Sequence, residues 1–195
     1  MWDERYSSAE YAYGTEPNDF LVARYRQLPS GTVLCLGEGE GRNAVWLAQQ
    51  GFQVSAVDAS GVGLEKARRL AAERGVNIAT IHVDLAHYRI EREAWDGVVS
   101  IFCHLPPSLR AMVHRQVVAG LRQGGVLLLE AYTPRQIELG TGGPTVAELT
   151  MGLDDLRSEL VGLDLVHAQE LEREVHEGRY HFGRASVVQV IGIKP

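Results

Sequence analysis

Short apolar segments alternate with longer amphipathic segments through the first two thirds of the chain. The apolar segments lack polar alternation, which is typical of strands buried on both faces of a sheet. Glycines follow several of the amphipathic segments, in the position where they commonly end helices. This order predicts parallel strands that are joined by right-handed helical crossovers.

The predicted strands span 32–36, 52–57, 78–83, 96–102 and 126–131, and the predicted helices between them span 42–50, 60–74 and 106–121. We expect residues 134–144, which are rich in Gly and Thr, to form a loop and residues 146–160 to form a helix. Two last strands, at 163–172 and 185–193, flank a polar turn and are expected to pair antiparallel. The fold class predicted is α/β: a Rossmann-like three-layer sandwich with a seven-stranded, mostly parallel sheet and an antiparallel terminal hairpin.

Charge and composition exclude several classes of partner and site. The formal net charge is -6, so nucleic acid and membrane surfaces are not expected as partners. The charged N-terminus lacks an apolar signal core, and we expect a cytoplasmic protein. Cys35 and Cys103 lie in apolar contexts that predict small buried thiols. No metal-ligand spacing occurs, and no metal is predicted.

Three alternate glycines, Gly37, Gly39 and Gly41, lie between the first strand and the first helix. In an open parallel sheet, ligands bind beyond the carboxyl ends of the strands. Glycines there allow a ligand close to the backbone and permit positive φ angles. The loop therefore predicts a nucleoside-bearing ligand with a carboxylate or phosphate.

Carboxylates also end the next two strands. Asp58 ends the second strand, where an acid can accept hydrogen bonds from both ribose hydroxyls. Asp84 ends the third strand, where it could accept a bond from an adenine amino group while the Leu85 backbone N–H reaches a ring nitrogen. These positions predict one adenosine lying across three strand ends.

Two ligand classes fit the loop. The spacing of Gly39, Gly41 and Ala44 also satisfies the dinucleotide fingerprint of NAD(P)-dependent oxidoreductases. Glu38 and Glu40 would face a pyrophosphate with like charge, which favours a ligand that carries a positive sulfonium.

The chain resembles the class I S-adenosylmethionine-dependent methyltransferases, and within them the tellurite-resistance and thiopurine-type branch that acts on small molecules. The motifs that carry the resemblance are Gly-Glu-Gly-Arg-Asn-Ala at 39–44, Trp-Leu-Ala at 46–48, Arg-Gln-Gly-Gly at 122–125, and the N-terminal motifs at 2–6 and 13–18. The resemblance covers essentially the whole chain. One position departs from it: Cys35 stands where such enzymes usually carry an aspartate, and Glu38 or a backbone carbonyl is a candidate to compensate.

The resemblance implies S-adenosylmethionine as cofactor and in-line methyl transfer to a small-molecule acceptor: a thiol, a metalloid oxyanion or another metabolite. The cofactor-binding residues expected are Tyr13, Gly37, Glu38, Gly39, Arg42, Asn43, Asp58, Ala59, Asp84, Leu85 and Phe102. A protein that binds the cofactor without turnover is a further alternative.

The acceptor side has one candidate catalytic residue and one candidate binding cluster. His104 follows the fourth strand, in a segment that the resemblance places opposite the transferring methyl group, where it could orient or deprotonate the acceptor. A surface or helix-capping histidine explains this position equally well. The terminal hairpin carries His176, Arg179, His181 and Arg184 within nine residues. Such a cluster could bind an anionic acceptor, although a solvated turn explains it equally well.

The length predicts a single domain over residues 1–195, and the resemblance implies that it is a methyltransferase domain. Within it we expect an N-terminal arm over the cofactor site (1–30), a cofactor-binding core (31–133), and an acceptor-side loop with the terminal hairpin (134–195). The sequence is compatible with a monomer or a homodimer.

Overall fold

The computed structural model describes all 195 residues. Its centre is one seven-stranded sheet in the order β3-β2-β1-β4-β5-β7-β6. The strands are β1 (Thr32–Leu36), β2 (Gln53–Asp58), β3 (Ala79–His82), β4 (Trp95–Ile101), β5 (Leu121–Tyr132), β6 (Asp164–Glu177) and β7 (His181–Ile193). The first five strands pair in parallel, and β7 runs antiparallel to both β5 and β6. The predicted fold class is confirmed.

Seven helices surround the sheet: α1 (Trp2–Tyr6), α2 (Asp19–Arg24), α3 (Arg42–Gln49), α4 (Gly61–Glu73), α5 (Pro107–Gly120), α6 (Gln136–Leu139) and α7 (Leu153–Glu159). Side-chain caps fix two of their starts, because Asn18 accepts a bond from the Leu21 N–H and Ser60 accepts one from the Gly63 N–H. Each cap satisfies a backbone donor that the first helical turn leaves free.

The core is divided by the sheet into two apolar layers. Along β5, Leu127 and Leu129 pack in one layer and Val126 and Leu128 in the other, because successive side chains of a strand point to opposite faces. The first layer includes residues of α5 and α7, and the second includes residues of α2, α3 and α4. Helices therefore cover both faces, as the three-layer prediction requires.

The sheet order creates a crevice between β1 and β4. The chain proceeds outward from β1 to β2 and β3, then returns to place β4 on the other side of β1. The segments that leave the carboxyl ends of β1 and β4 therefore diverge. This is the position at which open α/β sheets bind ligands.

The structure corrects four predicted elements on the acceptor side. The predicted loop 134–144 contains the single helical turn α6, and the predicted helix 146–160 is broken into a 3₁₀ turn (Ala147–Leu149) and α7. The break has a physical cause: the Met151 N–H bonds to the Tyr132 carbonyl, which draws that backbone out of the helix. The last two strands are longer than predicted, since their pairing continues to Glu177 and His181.

None of the helices is long and apolar enough to cross a membrane. Both cysteines are buried and unpaired, as the sequence predicts.

Candidate functional site

The glycine loop after β1 depends on residues without side chains. Gly37, Gly39 and Gly41 all have positive φ, at 58°, 63° and 91°. A Cβ atom on Gly37 would lie 2.7 Å from the Cys103 sulfur, and one on Gly41 would lie 2.6 Å from the Ala67 Cβ. The loop therefore approaches both the β4 side of the crevice and helix α4 more closely than other residues allow.

Glu38 closes the start of α3. Its Oε1 accepts the N–H groups of Asn43 at 3.0 Å and Ala44 at 2.8 Å, so the chain's own carboxyl satisfies the helix terminus. Burial raises the pKa of Glu38 to about 7, against the lowering effect of those N–H groups and of Arg42. Burial also raises the pKa of the Cys35 thiol. The charge of Glu38 and a hydrogen bond with Glu38 raise it further. Glu38 thus brings a carboxyl group beside the position that lacks the usual aspartate.

Asp58, at the end of β2, is a buried carboxylate without a salt-bridge partner. It is 7% exposed and accepts the Gly39 N–H at 2.8 Å and the Ser60 N–H at 2.7 Å. Burial raises the pKa of Asp58, although the two hydrogen bonds from backbone N–H groups act to lower it. Each oxygen retains acceptor capacity, so the group fits a ligand that presents hydroxyl donors.

The end of β3 presents a second free carboxylate. Asp84 is exposed and its Oδ1 accepts the Ala86 N–H at 2.8 Å. Leu85 is buried beside it. Ala59, which follows Asp58, uses its carbonyl to accept a bond from His82 Nε2 at 3.0 Å. Asp58 and Asp84 therefore lie at the same edge of adjacent strands, as predicted.

The N-terminal arm, residues 1–18, lies across this edge. Tyr6 packs over the loop, because a Cβ on Gly39 would lie 2.6 Å from its hydroxyl oxygen and one on Gly63 would lie 3.0 Å from its ring. Buried Lys66 donates to the carbonyls of Ser8 at 2.9 Å and Glu10 at 2.7 Å. Lys66 also bonds to Glu40, whose other oxygen accepts the Ala12 N–H. One ammonium therefore joins the arm to the loop.

Two predicted cofactor residues bind other parts of the chain. Arg42 forms a buried ion pair with Glu177 at 2.7 Å, and Asn43 Oδ1 accepts the Asn18 N–H at 2.9 Å. Burial alone would raise the pKa of Glu177, but Arg42 and His181 outweigh it and hold that pKa at about 2. In this structure both side chains therefore connect α3 to the arm and the hairpin.

An aromatic layer occupies the β4 side of the crevice. The rings of Phe102, His104 and Tyr132 are stacked within 21° of parallel, with centroids 4.4 to 6.3 Å apart. His181 meets Phe102 and Tyr132 edge-on, and Tyr13 packs on His181 at 4.6 Å. Phe102 has a φ of 51°, which is uncommon for a bulky residue and occurs at functional sites.

The predicted hairpin cluster is divided between two faces. His181 is buried and faces Glu177, whereas His176 and Arg184 lie on the outer face beside Glu174 and Glu172 respectively. Arg179, in the turn, pairs with Glu10 at 3.3 Å. Of the four, only His181 contacts the aromatic layer.

Sequence reasoning missed Tyr6, Lys66, Tyr132 and Glu177 as residues of this region. Tyr132 had a readable signal, since it ends the fifth strand at the same edge as the other candidates. Lys66 and Glu177 had none, because isolated charged residues on a helix or near a turn are usually solvated. A cavity of about 800 Å³ lies at the opposite edge and is lined by Thr32, Gln53 and Trp95, among others.

Comparison with known proteins agrees with this geometry. Residues 33–125 match the family model described as a methyltransferase domain. No curated protein matches the sequence.

Solved structures share the fold at low sequence identity. A protein studied for the conversion of a disulfide bond into a thioacetal group in echinomycin biosynthesis has a TM-score of 0.79 and 19% identity, over 99% of this chain and 90% of that one. TehB from Haemophilus influenzae has a TM-score of 0.73 and 18% identity, over the whole of this chain and 66% of TehB. A Methanosarcina mazei protein described as an S-adenosylmethionine-dependent methyltransferase has a TM-score of 0.68 and 16% identity, over 92% of this chain and 98% of that one.

At these identities the solved structures establish the fold, and the family model supplies the methyltransferase assignment for residues 33–125. The family model thus identifies an enzyme domain of the methyltransferase type at residues 33–125.

Proposed function

We propose that the protein transfers a methyl group from S-adenosylmethionine to a small-molecule acceptor by in-line displacement. The observation that carries the proposal is Asp58, a buried carboxylate with no cationic partner, 2.8 Å from the Gly39 N–H at the end of β2. A desolvated carboxylate in that position is costly, and two ribose hydroxyls would satisfy its free acceptor positions.

The other cofactor contacts follow from position along the same edge. Asp84 and the Leu85 N–H are assigned to adenine, because they follow β3, the strand that pairs with the end of β2 at Asp58. Gly37, Glu38 and Tyr13 are assigned to the methionine end, on the β1 side of the crevice. Glu38 supplies the acid that position 35 lacks. When bound, the cofactor supplies a methyl group already activated on a sulfonium, so the protein contributes mainly position and exclusion of water.

The acceptor is assigned to the β4 side, against the aromatic layer. The Gly-rich segment 140–143 covers that layer, since a Cβ on Gly143 would overlap the Tyr132 ring. This enclosure favours a small molecule over a macromolecule. The tellurite-resistance and thiopurine-type resemblance suggests thiols and metalloid oxyanions as the first acceptors to test.

Calorimetric titration tests the cofactor assignment. We expect S-adenosylmethionine to bind the wild-type protein and Asp58→Asn to weaken binding about 10- to 100-fold, the range for hydrogen bonds to a charged group. Asp154→Asn is the matched control, because that side chain is fully exposed. Equal affinity in wild type and Asp58→Asn, or preferential binding of NAD(P), would contradict the proposal.

Release of S-adenosylhomocysteine in the presence of acceptors tests catalysis. We expect release to depend on an added small acceptor. Tight cofactor binding without release, across thiol, hydroxyl, amine and oxyanion acceptors, would instead indicate a protein that binds the cofactor without turnover.

A further inference from the structure

Two buried polar atoms of the aromatic layer have no hydrogen-bond partner. They are the Tyr132 hydroxyl and His104 Nε2. Tyr132 has no exposed surface, and its ring stacks on His104 at 5.6 Å with only 11° between the planes. Unpaired buried polar groups are rare and costly in folded proteins. Two of them on adjacent rings, beside the crevice between β1 and β4, point to a polar ligand that binds there.

The structure fixes the hydrogen-bonding character of His104. Its Nδ1 lies 2.8 Å from the Leu149 carbonyl oxygen. Since a carbonyl only accepts, Nδ1 carries the proton and donates. Burial lowers the pKa of His104 to about 4, against that bond, so the ring is neutral near pH 7. Nε2 then presents a lone pair and must receive a proton from whatever lies beside it.

Tyr132 has the opposite character. Burial raises the pKa of its hydroxyl, and the negative charge of Glu177 raises it further. The hydroxyl therefore stays protonated and can donate to a lone pair. A donor and a neutral acceptor on stacked rings match an atom that carries both a lone pair and a proton.

The charges around Tyr132 do not favour an anion. Arg42 and Arg173 are the guanidiniums that act on its pKa, and each is already paired. Arg42 binds Glu177, and Arg173 binds Glu130. An oxyanion would have to displace one of these buried ion pairs, and each displacement leaves a carboxylate unpaired in the interior.

We propose that the acceptor is a neutral molecule whose nucleophilic atom X carries a proton, as in a thiol, phenol or heteroaromatic amine. His104 Nε2 receives that proton, and the Tyr132 hydroxyl donates a hydrogen bond to X. This proposal rests on the proposed function. In the transfer, X forms the new X–CH₃ bond and the bond from methyl to sulfur breaks, leaving its electron pair on sulfur. The X–H proton passes to Nε2, which becomes an imidazolium. In selenite and tellurite the nucleophilic chalcogen atom carries no proton, and the anion brings a charge that the site does not match.

The acceptor test compares 2-mercaptoethanol, phenol and 2-aminopyridine with selenite and tellurite, measured by release of S-adenosylhomocysteine. We expect release with at least one neutral acceptor and none with the oxyanions. Turnover of an oxyanion, or no turnover of any neutral acceptor by protein that binds S-adenosylmethionine, overturns the proposal. Failure to bind S-adenosylmethionine would overturn the proposed function instead.

Variants separate chemistry from folding. We expect His104→Gln to lower kcat about 100-fold, at the low end for general-base catalysis, and Tyr132→Phe to lower it about 10-fold. Affinity for S-adenosylhomocysteine should stay within twofold of wild type in both. His87→Gln and Tyr25→Phe are matched controls outside the site. Unchanged kcat in His104→Gln contradicts the proton transfer.

A spectroscopic measurement examines the imidazole without turnover. The ¹⁵N NMR spectrum of the side chain, assigned by its loss in His104→Gln, should show at pH 7 a neutral ring with the proton on Nδ1. A proton on Nε2, or a charged ring, would overturn the assignment.

Discussion

Glu38 and His104 illustrate how burial moves the pKa values of an acid and a base in opposite directions. Burial raises the pKa of Glu38 from 4.5 to about 7 and lowers that of His104 from 6.5 to about 4, because it disfavours the charged form of both. Both groups lie at the crevice, one on each side. Each is therefore neutral over much of the pH range between 4.5 and 6.5 in the folded chain.

The two shifts have opposite effects on stability. Between pH 7 and 4.5 the folded chain holds a proton on Glu38 that the unfolded chain releases, so acidification stabilises the fold. Between pH 6.5 and 4 the unfolded chain protonates His104 and the folded chain does not, so acidification destabilises it. Each contribution is about 3 kcal/mol at most, at about 1.4 kcal/mol per pKa unit, and in wild type they largely cancel.

Single variants should separate these contributions. From pH 6.5 to 4.5 we expect His104→Gln to gain stability relative to wild type and Glu38→Gln to lose it, each by up to about 3 kcal/mol. Urea unfolding at pH 4.5, 5.5 and 6.5 measures the differences. Three parallel curves would show that neither group is shifted as described.

Residue-level prediction from sequence succeeded where position along a strand was sufficient. Asp58 ends β2 and Asp84 lies two residues beyond the end of β3, at the same edge, because parallel strands align their carboxyl ends. Sequence reasoning could not predict the ion pair of Arg42, because its partner Glu177 lies 135 residues away on the terminal hairpin. Long-range ion pairs of this kind depend on the register of β6 and β7. The sequence pattern predicted both strands too short to include Glu177.

At the scale of elements, Gly41 sets the distance between α3 and α4. It precedes α3 with a φ of 91°, and its missing Cβ leaves space for Ala67 of α4. Gly51, after α3, has a similar φ of 95°, and a Cβ added there would meet no atom within 4 Å. The two glycines therefore share a backbone requirement and differ in packing.

Alanine at these two positions should distinguish backbone strain from packing. We expect Gly51→Ala to lose about 1–2 kcal/mol from the left-handed backbone alone. Gly41→Ala should lose a further 1–3 kcal/mol, roughly the cost of overpacking, because it pushes α4 from α3. Urea unfolding of both variants at one pH gives the comparison. Equal losses would mean that α4 moves away without cost.

The elements that sequence predicted well are those with a continuous apolar pattern. Strands β1, β2, β4 and helix α4 lie within one or two residues of expectation. The segment 146–160 failed, because its helical periodicity competes with a backbone bond from Met151 to Tyr132 and with Gly152 at the start of α7. A bond to a distant strand leaves no trace in local periodicity.

At the scale of the whole molecule, the N-terminal arm is held by one buried cation. Lys66 is 5% exposed and bonds to arm carbonyls and to Glu40. The sequence did not reveal this contact, which holds residues 6–12 of the arm against the glycine loop. A buried lysine of this kind is stable only while both the arm and Glu40 remain in place.

Replacement of Lys66 should release the arm. We expect Lys66→Met to increase amide hydrogen exchange at residues 7–12 at least about tenfold while β1 and β4 stay protected, because local opening requires only the arm's contacts. Global stability should fall by about 3–5 kcal/mol, since Glu40 is left buried and unpaired. Arg68→Met, exposed on the same helix, is the control. Unchanged exchange at residues 7–12 would show that other contacts hold the arm.

The stacking of Trp2 on Tyr6, with centroids 5.8 Å apart and 21° between the planes, gives this arrangement an optical consequence. The indole is 46% exposed, so the part of it that packs on protein surface outside α1 enters water when the arm leaves the loop. With Trp46 and Trp95 replaced by Phe, emission from Trp2 would follow the arm in real time without an added dye, and stopped-flow mixing with nucleoside would record how fast the N-terminus responds to it.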